Sequence, residues 1–187
     1  MNDNDILPVD LPTEERKIIK VIGVGGGGGN AVKNMYQTGI QDVSFVLCNT
    51  DNQALAKSSI PVKLQIGRNT TKGLGAGNDP EVARQAAEEN IEDIRKQFQD
   101  GTEMVFITAG MGGGTGTGAS PVIAKIAHDL GILTVAVVTM PLRMEGPSRY
   151  QNAVSGLNEL NPWVDSLLVI DNERVRSMYG KLPLKDA

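Results

Sequence analysis

The chain has 187 residues, 40% of them apolar, and a formal net charge of −4, which is enough to bury one good core and reads as a single α/β-sized domain. The negative balance and the lack of a basic stripe argue against a general nucleic-acid binder. With no long apolar run and no charged-then-apolar leader, the chain reads as cytoplasmic, neither inserted in a membrane nor secreted.

Residues 1–16, rich in Asp, Asn and Pro, read as a disordered tail, and the folded domain as 17–187. Aliphatic runs at 18–24, 43–48, 62–66, 104–108, 133–138 and 167–170 alternate with helical patterns. Six such strands imply a parallel sheet covered on both faces and joined by right-handed crossovers. The expected fold is a Rossmann-like three-layer α/β domain with strand order 3-2-1-4-5-6.

After the first strand comes Gly23-Val24-Gly25-Gly26-Gly27-Gly28-Gly29-Asn30, opening a helix through Ala31, Val32 and Met35. Gly23, Gly25 and Gly28 satisfy the dinucleotide fingerprint, and Asp51 stands where a ribose-binding acid is sought. Alone, this points to an NAD(P)-dependent oxidoreductase, but five consecutive glycines satisfy many spacings. Cys48, the single cysteine, reads as a small buried hydrophobe. Another glycine-rich loop, 71–78 (the third loop), follows the third strand. It ends at Asp79 and Pro80, which suit the N-cap and first position of one long helix over 80–98, with Val82, Ala86, Ala87, Ile91, Ile94 and Phe98 on its apolar stripe.

The most informative segment is Gly110-Met111-Gly112-Gly113-Gly114-Thr115-Gly116-Thr117-Gly118, between the fourth strand and a helix over 120–130. Such a run lets several backbone N–H groups point at one anion, and the following helix adds the positive end of its dipole. A flexible linker is the plainer reading, yet linkers seldom lie between a buried strand and an apolar-periodic helix. Strands one and four are neighbours at the switch point of a 3-2-1-4-5-6 sheet, so the three loops converge on one crevice. Three cradles suit a triphosphate better than a pyrophosphate, and the Walker pattern is missing from all of them. The lone His128 reads as an outer-face helix residue without a chemical role, and Trp163 as a half-buried ring on a surface turn.

The segment GGGTGTG at 112–118 resembles the signature loop of the tubulin and FtsZ superfamily. KVIGVGGGGGNAV at 20–32, NTD at 49–51, TKGLGAG at 71–77, MVFITAGMGGGTGTGA at 104–119 and DLGILTVAVVT at 129–139 resemble its bacterial FtsZ members, in the same order. The resemblance implies a filament-forming GTPase of cell division, binding GTP or GDP, with Mg²⁺ in the complete protein. It implies that Gly113, Gly114, Thr115 and Gly116 hold the phosphates together with Gly26, Gly27 and Gly28, and that Gly77 and Asn78 sense the terminal one. Asn30 would lie by the base, Thr139 and Glu145 by the ribose, Arg149 by the phosphates or sugar, and Asn172 at the guanine edge. Read without the resemblance, Glu145 caps a helix starting near Gly146, Arg149 is a solvated helical charge and Asn172 is a turn residue. Residues 140–144 and Pro147-Ser148 depart from the basic and aromatic residues common in the family at these places.

The sequence stops at Ala187, where the family enters a long central helix leading to a second domain. The resemblance therefore implies that this chain binds nucleotide with little or no turnover and carries neither a catalytic nor a metal-binding residue. Hydrolysis would need the acidic loop of an adjacent copy, in a head-to-tail polymer at the mid-cell division ring. Membrane tethers would act through a C-terminal region beyond this sequence. Two other functions stay open: the NAD(P)-dependent oxidoreductase, and a non-catalytic module that caps a partner's filament.

Overall fold

A computed structural model describes residues 17–179; the tail expected over 1–16 and the end of the sequence lie outside the described residues. Six strands, β1 (Ile19–Val24), β2 (Val43–Asn49), β3 (Val62–Gln65), β4 (Met104–Gly110), β5 (Leu133–Met140) and β6 (Ser166–Asp171), pair in parallel in the order β3-β2-β1-β4-β5-β6. The expected order holds, and each strand falls within two residues of its aliphatic run. Helices α1 (Gly25–Thr38), α2 (Asn52–Ala56), α3 (Arg68–Thr71), α4 (Pro80–Glu89), α5 (Ile91–Lys96), α6 (Thr115–Asp129), α7 (Pro147–Leu160) and α8 (Asn172–Tyr179) fill the connections.

Alternation along the strands divides the interior in two. Val21, Phe45 and Leu47 face α1 and α2, packing with Val32, Leu55 and Ile60. Ile22, Val24, Val46, Cys48 and Ile107 face the other way, into a larger core with Ile94, Phe98, Ile123, Ala127 and Leu160. Cys48 is buried there, and burial pushes its thiol up to about 12, so it behaves as a hydrophobe and not as a nucleophile. The buried Lys20 ammonium crosses to the Asp100 carboxylate, 2.7 Å away, and also donates to the Gln97 carbonyl.

Two helices differ from expectation. The helix expected over 80–98 is interrupted at Asn90, whose φ of −116° and ψ of 26° leave the helical region. Its side-chain oxygen there accepts from the Gly67 N–H at 2.8 Å, a partner far away in sequence. The last helix of the glycine signature begins at Thr115, five residues before the expected start at Ser120. The poor helix propensity of glycine conceals a first turn that packing supports. His128 is exposed on α6, and Trp163 half-buried on the turn Asn161–Trp163, as read from the sequence.

Candidate functional site

β1 and β4 lie side by side at the centre of the sheet, and α1 and α6 begin directly beyond their carboxyl ends. Between them opens a cleft of about 580 Å³. How the helices around it start is the main chemical feature. Asp51 caps α2, accepting from the Gln53 and Ala54 N–H groups at 2.8 and 3.1 Å, and Asp79 caps α4 in the same way at Glu81 and Val82. Neither α1 nor α6 has a side-chain cap or an acid in its first turn. The free N–H groups and positive dipole ends of two long helices thus face one cleft, a site made for an anion.

The glycines at these starts divide by what surrounds them. A Cβ on Gly28 would lie 2.1 Å from the Thr108 carbonyl oxygen, and one on Gly118 would lie 1.9 Å from that of Pro80. These glycines let α1 lie on β4 and α6 on α4. At Gly26 a Cβ would meet nothing within 4 Å, and at Gly113 only the Asn78 side-chain oxygen at 3.8 Å; both line the cleft. Side-chain hydroxyls fix the signature loop. Thr115 and Thr50 share a hydrogen bond of 2.8 Å, Thr117 accepts from the Gly112 N–H at 2.8 Å, and Ser120 donates to the Gly116 carbonyl.

The opposite wall comes from the loop that follows α3 and from the start of α7. Asn78 holds a left-handed φ of 63°, which asparagine tolerates better than most residues. Its side-chain oxygen accepts from Arg149 of α7 at 3.4 Å. Arg149 also donates to Glu145 at 2.6 Å, and the other oxygen of Glu145 accepts from the Leu142 N–H at 2.9 Å. The Leu142 amide and then the Arg149 guanidinium hold the Glu145 carboxyl below the usual carboxylate range. Glu145 thus closes the short turn before α7 and orients Arg149 across the cleft mouth; the N-cap of α7 itself is Gly146.

Of the residues singled out in the sequence, the cleft brings together Gly26 and Gly27 from α1, Gly77 and Asn78 from the third loop, and Gly113, Gly114, Thr115 and Gly116 from the signature. Thr139 at the end of β5, Glu145, Arg149, and Asn172 at the start of α8 complete it. Two stand apart. Gly28 is buried and not part of the cleft lining, with the Thr108 carbonyl occupying the space beside its α-carbon. Asn30 lies one turn further along α1, exposed in a neighbouring groove with Gly29, Lys33 and Asn49.

A family model for the Tubulin/FtsZ family, GTPase domain, matches residues 18–180. The chain belongs to the Tubulin/FtsZ family. It is 60% identical over 171 residues to the cell division protein FtsZ of Porphyromonas gingivalis, an alignment covering 91% of this chain and 37% of that protein. With FtsZ of Mycoplasmopsis pulmonis the identity is 53%, covering 90% and 43%. Its structure superposes on an empty FtsZ dimer of M. jannaschii with a TM-score of 0.85 at 46% identity, covering 89% of this chain and 48% of that one. It also superposes on the GTPγS-bound protofilament of CetZ2 from Haloferax volcanii, with a TM-score of 0.78 at 26% identity, covering 90% and 52%. The chain thus spans about half or less of the length of the relatives it matches.

Within this Tubulin/FtsZ domain the cleft has lining that the site residues chosen from the sequence omit. Asn49, nine-tenths or more buried, turns its side-chain oxygen to the Thr50 and Asp51 N–H groups at 2.8 and 3.3 Å and lines the cleft beside them. The signal was available in the Asn-Thr-Asp triplet at the end of β2, because loops at the carboxyl ends of central strands surround the site. The two carboxylates on the lining among the described residues, Asp51 and Glu145, are engaged in the cap and the arginine pair described above. Among the described residues no three His, Cys, Asp or Glu side chains gather as a metal site.

Proposed function

We propose that this chain is the guanine-nucleotide-holding half of a filament-forming cell-division GTPase. The observation that carries the reading is the pair of uncapped glycine starts, α1 and α6, opening on one cleft beside the aspartate-capped starts of α2 and α4. The family supplies the nucleotide: its matched model is a GTPase domain, and the superposed CetZ2 protofilament is bound to GTPγS.

In this arrangement the phosphates occupy the N-termini of α1 and α6, against Gly26, Gly27 and Gly113 to Gly116, where no capping side chain takes the backbone N–H donors. Gly77 and Asn78 stand at the terminal phosphate. Arg149, already turned toward Asn78, exchanges part of its pairing with Glu145 for phosphate oxygens. That frees Glu145, which stays ionised, to accept from ribose hydroxyls beside Thr139, while the Asn172 amide faces the base edge. Gly28 and Asn30 are left out of the direct contacts, Gly28 because it is packed and Asn30 because it lies beside the cleft.

The same geometry argues that holding and cutting are separate tasks. Among the described residues both cleft carboxylates are engaged and no histidine lines the cleft, so these residues supply no free general base. Head-to-tail contact with another copy, whose acids position the attacking water, completes the reaction in this reading, at a division ring tethered to the membrane through other parts of the protein. The donor set does not fit a Mg²⁺ cage of protein carboxylates, so the ion is left to the phosphates and no step is assigned to it.

The test is titration of the chain with GTP, GDP and NAD, followed by calorimetry and thermal melting. Guanine nucleotides should bind and stabilise by about 2.7 kcal/mol at a hundredfold excess over Kd, and NAD should do neither. Phosphate release should be slow with the chain alone and rise with added full-length FtsZ. Binding of NAD in preference to GTP, or brisk turnover indifferent to added partner, would refute the reading.

A further inference from the structure

The third loop reaches the cleft with Ala76 buried beside Gly114 and Leu74 bridged to Asp51, while its glycine tip stays open. Gly75 and Gly77 both have left-handed φ values, 88° and 60°, and a Cβ at Gly77 would meet nothing within 4 Å. Its near anchors are the bond from the Asn52 N–H to the Gly73 carbonyl at 3.1 Å and the closing bond from the Asp79 N–H to Ala76 at 2.9 Å. Arg149 reaches Asn78 from across the cleft, and a further restraint lies at the far end of α4. There the Glu89 carboxylate accepts four hydrogen bonds. The Asn69 N–H and side-chain amide reach one oxygen at 3.0 and 2.9 Å, and the Thr70 N–H and hydroxyl reach the other at 3.0 and 2.7 Å. Asn90 adds the bond from the Gly67 N–H at 2.8 Å.

These contacts close a circuit. The chain runs from Gly67 through α3 and the loop to Asn78, then along α4 to Glu89, which returns to α3. α4 is itself seated on α6 where Gly118 meets the Pro80 carbonyl. The loop's incoming end is thus tied, through α4, to the helix whose start forms the anion cradle. We propose that Glu89 and Asn90 are positioning residues for the third cleft loop, setting where Gly77 and Asn78 stand although they lie about 14 Å along α4 from the cleft. The Asn69 amide first, and then Thr70, hold the Glu89 carboxyl below the usual range, consistent with a carboxylate that stays ionised and engaged. Glu89, exposed and remote, would otherwise read as a solvated helical charge.

The effect on nucleotide rests on the function proposed above; the effect on the loop does not. Hydrogen exchange of the chain carrying Glu89→Ala should show amides of residues 72–78 exchanging about tenfold faster, with the first turn of α6 unchanged. Asp100→Ala, which strips the buried Lys20 of its carboxylate, is the control: it lowers stability without touching loop exchange. In calorimetry, Glu89→Ala should lower the preference for GTP over GDP about fivefold, Asp100→Ala should leave it unchanged, and Glu89→Gln, which keeps one acceptor oxygen, should lie between. If Glu89→Ala does not fold, Thr70→Val, which removes only the hydroxyl donor, gives the same readings in smaller measure. Unaltered loop exchange, or equal losses for both nucleotides, overturns the proposal. Failure of the unaltered chain to bind either nucleotide overturns the proposed function instead, and the exchange result still decides the role of Glu89.

Discussion

Helices α1 and α6 and helices α2 and α4 begin at the same edge of one sheet, yet their first turns are closed in opposite ways. At α2 and α4 an aspartate side chain satisfies the backbone; at α1 and α6 glycine leaves it open toward the cleft. A helix start finished by its own chain is structural, and one left unfinished is available to a ligand. The contrast continues inside α1 and α6, where one set of glycines admits neighbouring backbone and another keeps space clear.

The largest effect should come from filling a packing glycine. Gly118→Ala places a methyl 1.9 Å from the Pro80 oxygen, and separating α4 from α6 should destabilise the chain by about 3 kcal/mol. That exceeds the gain in helix propensity, about 1 kcal/mol. Urea unfolding measures it, and a neutral result would remove the distinction between the two sets. Next comes the open set. Gly113→Ala should leave the urea midpoint within about 0.5 kcal/mol of the parent yet lower GTP affinity about tenfold, or ~1.4 kcal/mol. A drop in stability with unchanged affinity would reverse its assignment. At the capped starts, Asp79→Ala should lower stability by about 1 kcal/mol, seen as a lower melting temperature.

The smallest effect is at the cleft mouth. Arg149→Ala should change stability by no more than about 0.5 kcal/mol at neutral pH, because the pair with Glu145 is solvated. Its pH dependence has a definite sign. A carboxyl lowered in the folded state contributes stability above its unfolded value, about 4.3 for Glu, and loses it as pH falls through the folded value. The difference between the parent and Arg149→Ala should therefore shrink as unfolding is repeated at decreasing pH below that range. A difference that grows on acidification would show that Arg149 stabilises the fold by some other contact.

Strand order and the convergence of loops were legible because both follow from period and connectivity. Each strand is an aliphatic run, and the right-handed crossover leaves few arrangements. What escaped were features set by contacts across the fold. The first turns of α1 and α6 are written in residues of poor helix propensity, so the pattern begins to look helical only once Ala and Ile return. The break at Asn90 depends on Gly67, more than twenty positions away, and the packing role of Gly28 depends on the Thr108 oxygen. Five adjacent glycines look alike in sequence, and only their surroundings separate Gly26 from Gly28. Asn49 is legible only through the Asn-Thr-Asp triplet and its place at the end of a central strand, since a lone asparagine does not distinguish a strand end from a site wall.

Trp163, the one tryptophan in the sequence, stands at the foot of α6. The Lys125 ammonium lies 4.9 Å from the centre of its ring, and the His128 ring meets it edge-on at 6.0 Å. The anion cradle is at the other end of that fifteen-residue helix, about 22 Å away. Its emission is therefore a remote gauge: a ligand in the cleft cannot touch the indole, and any change in intensity on binding measures motion of α6 against the turn that carries Trp163. A silent fluorophore during a calorimetrically visible titration would mean that the helix receives its ligand without moving.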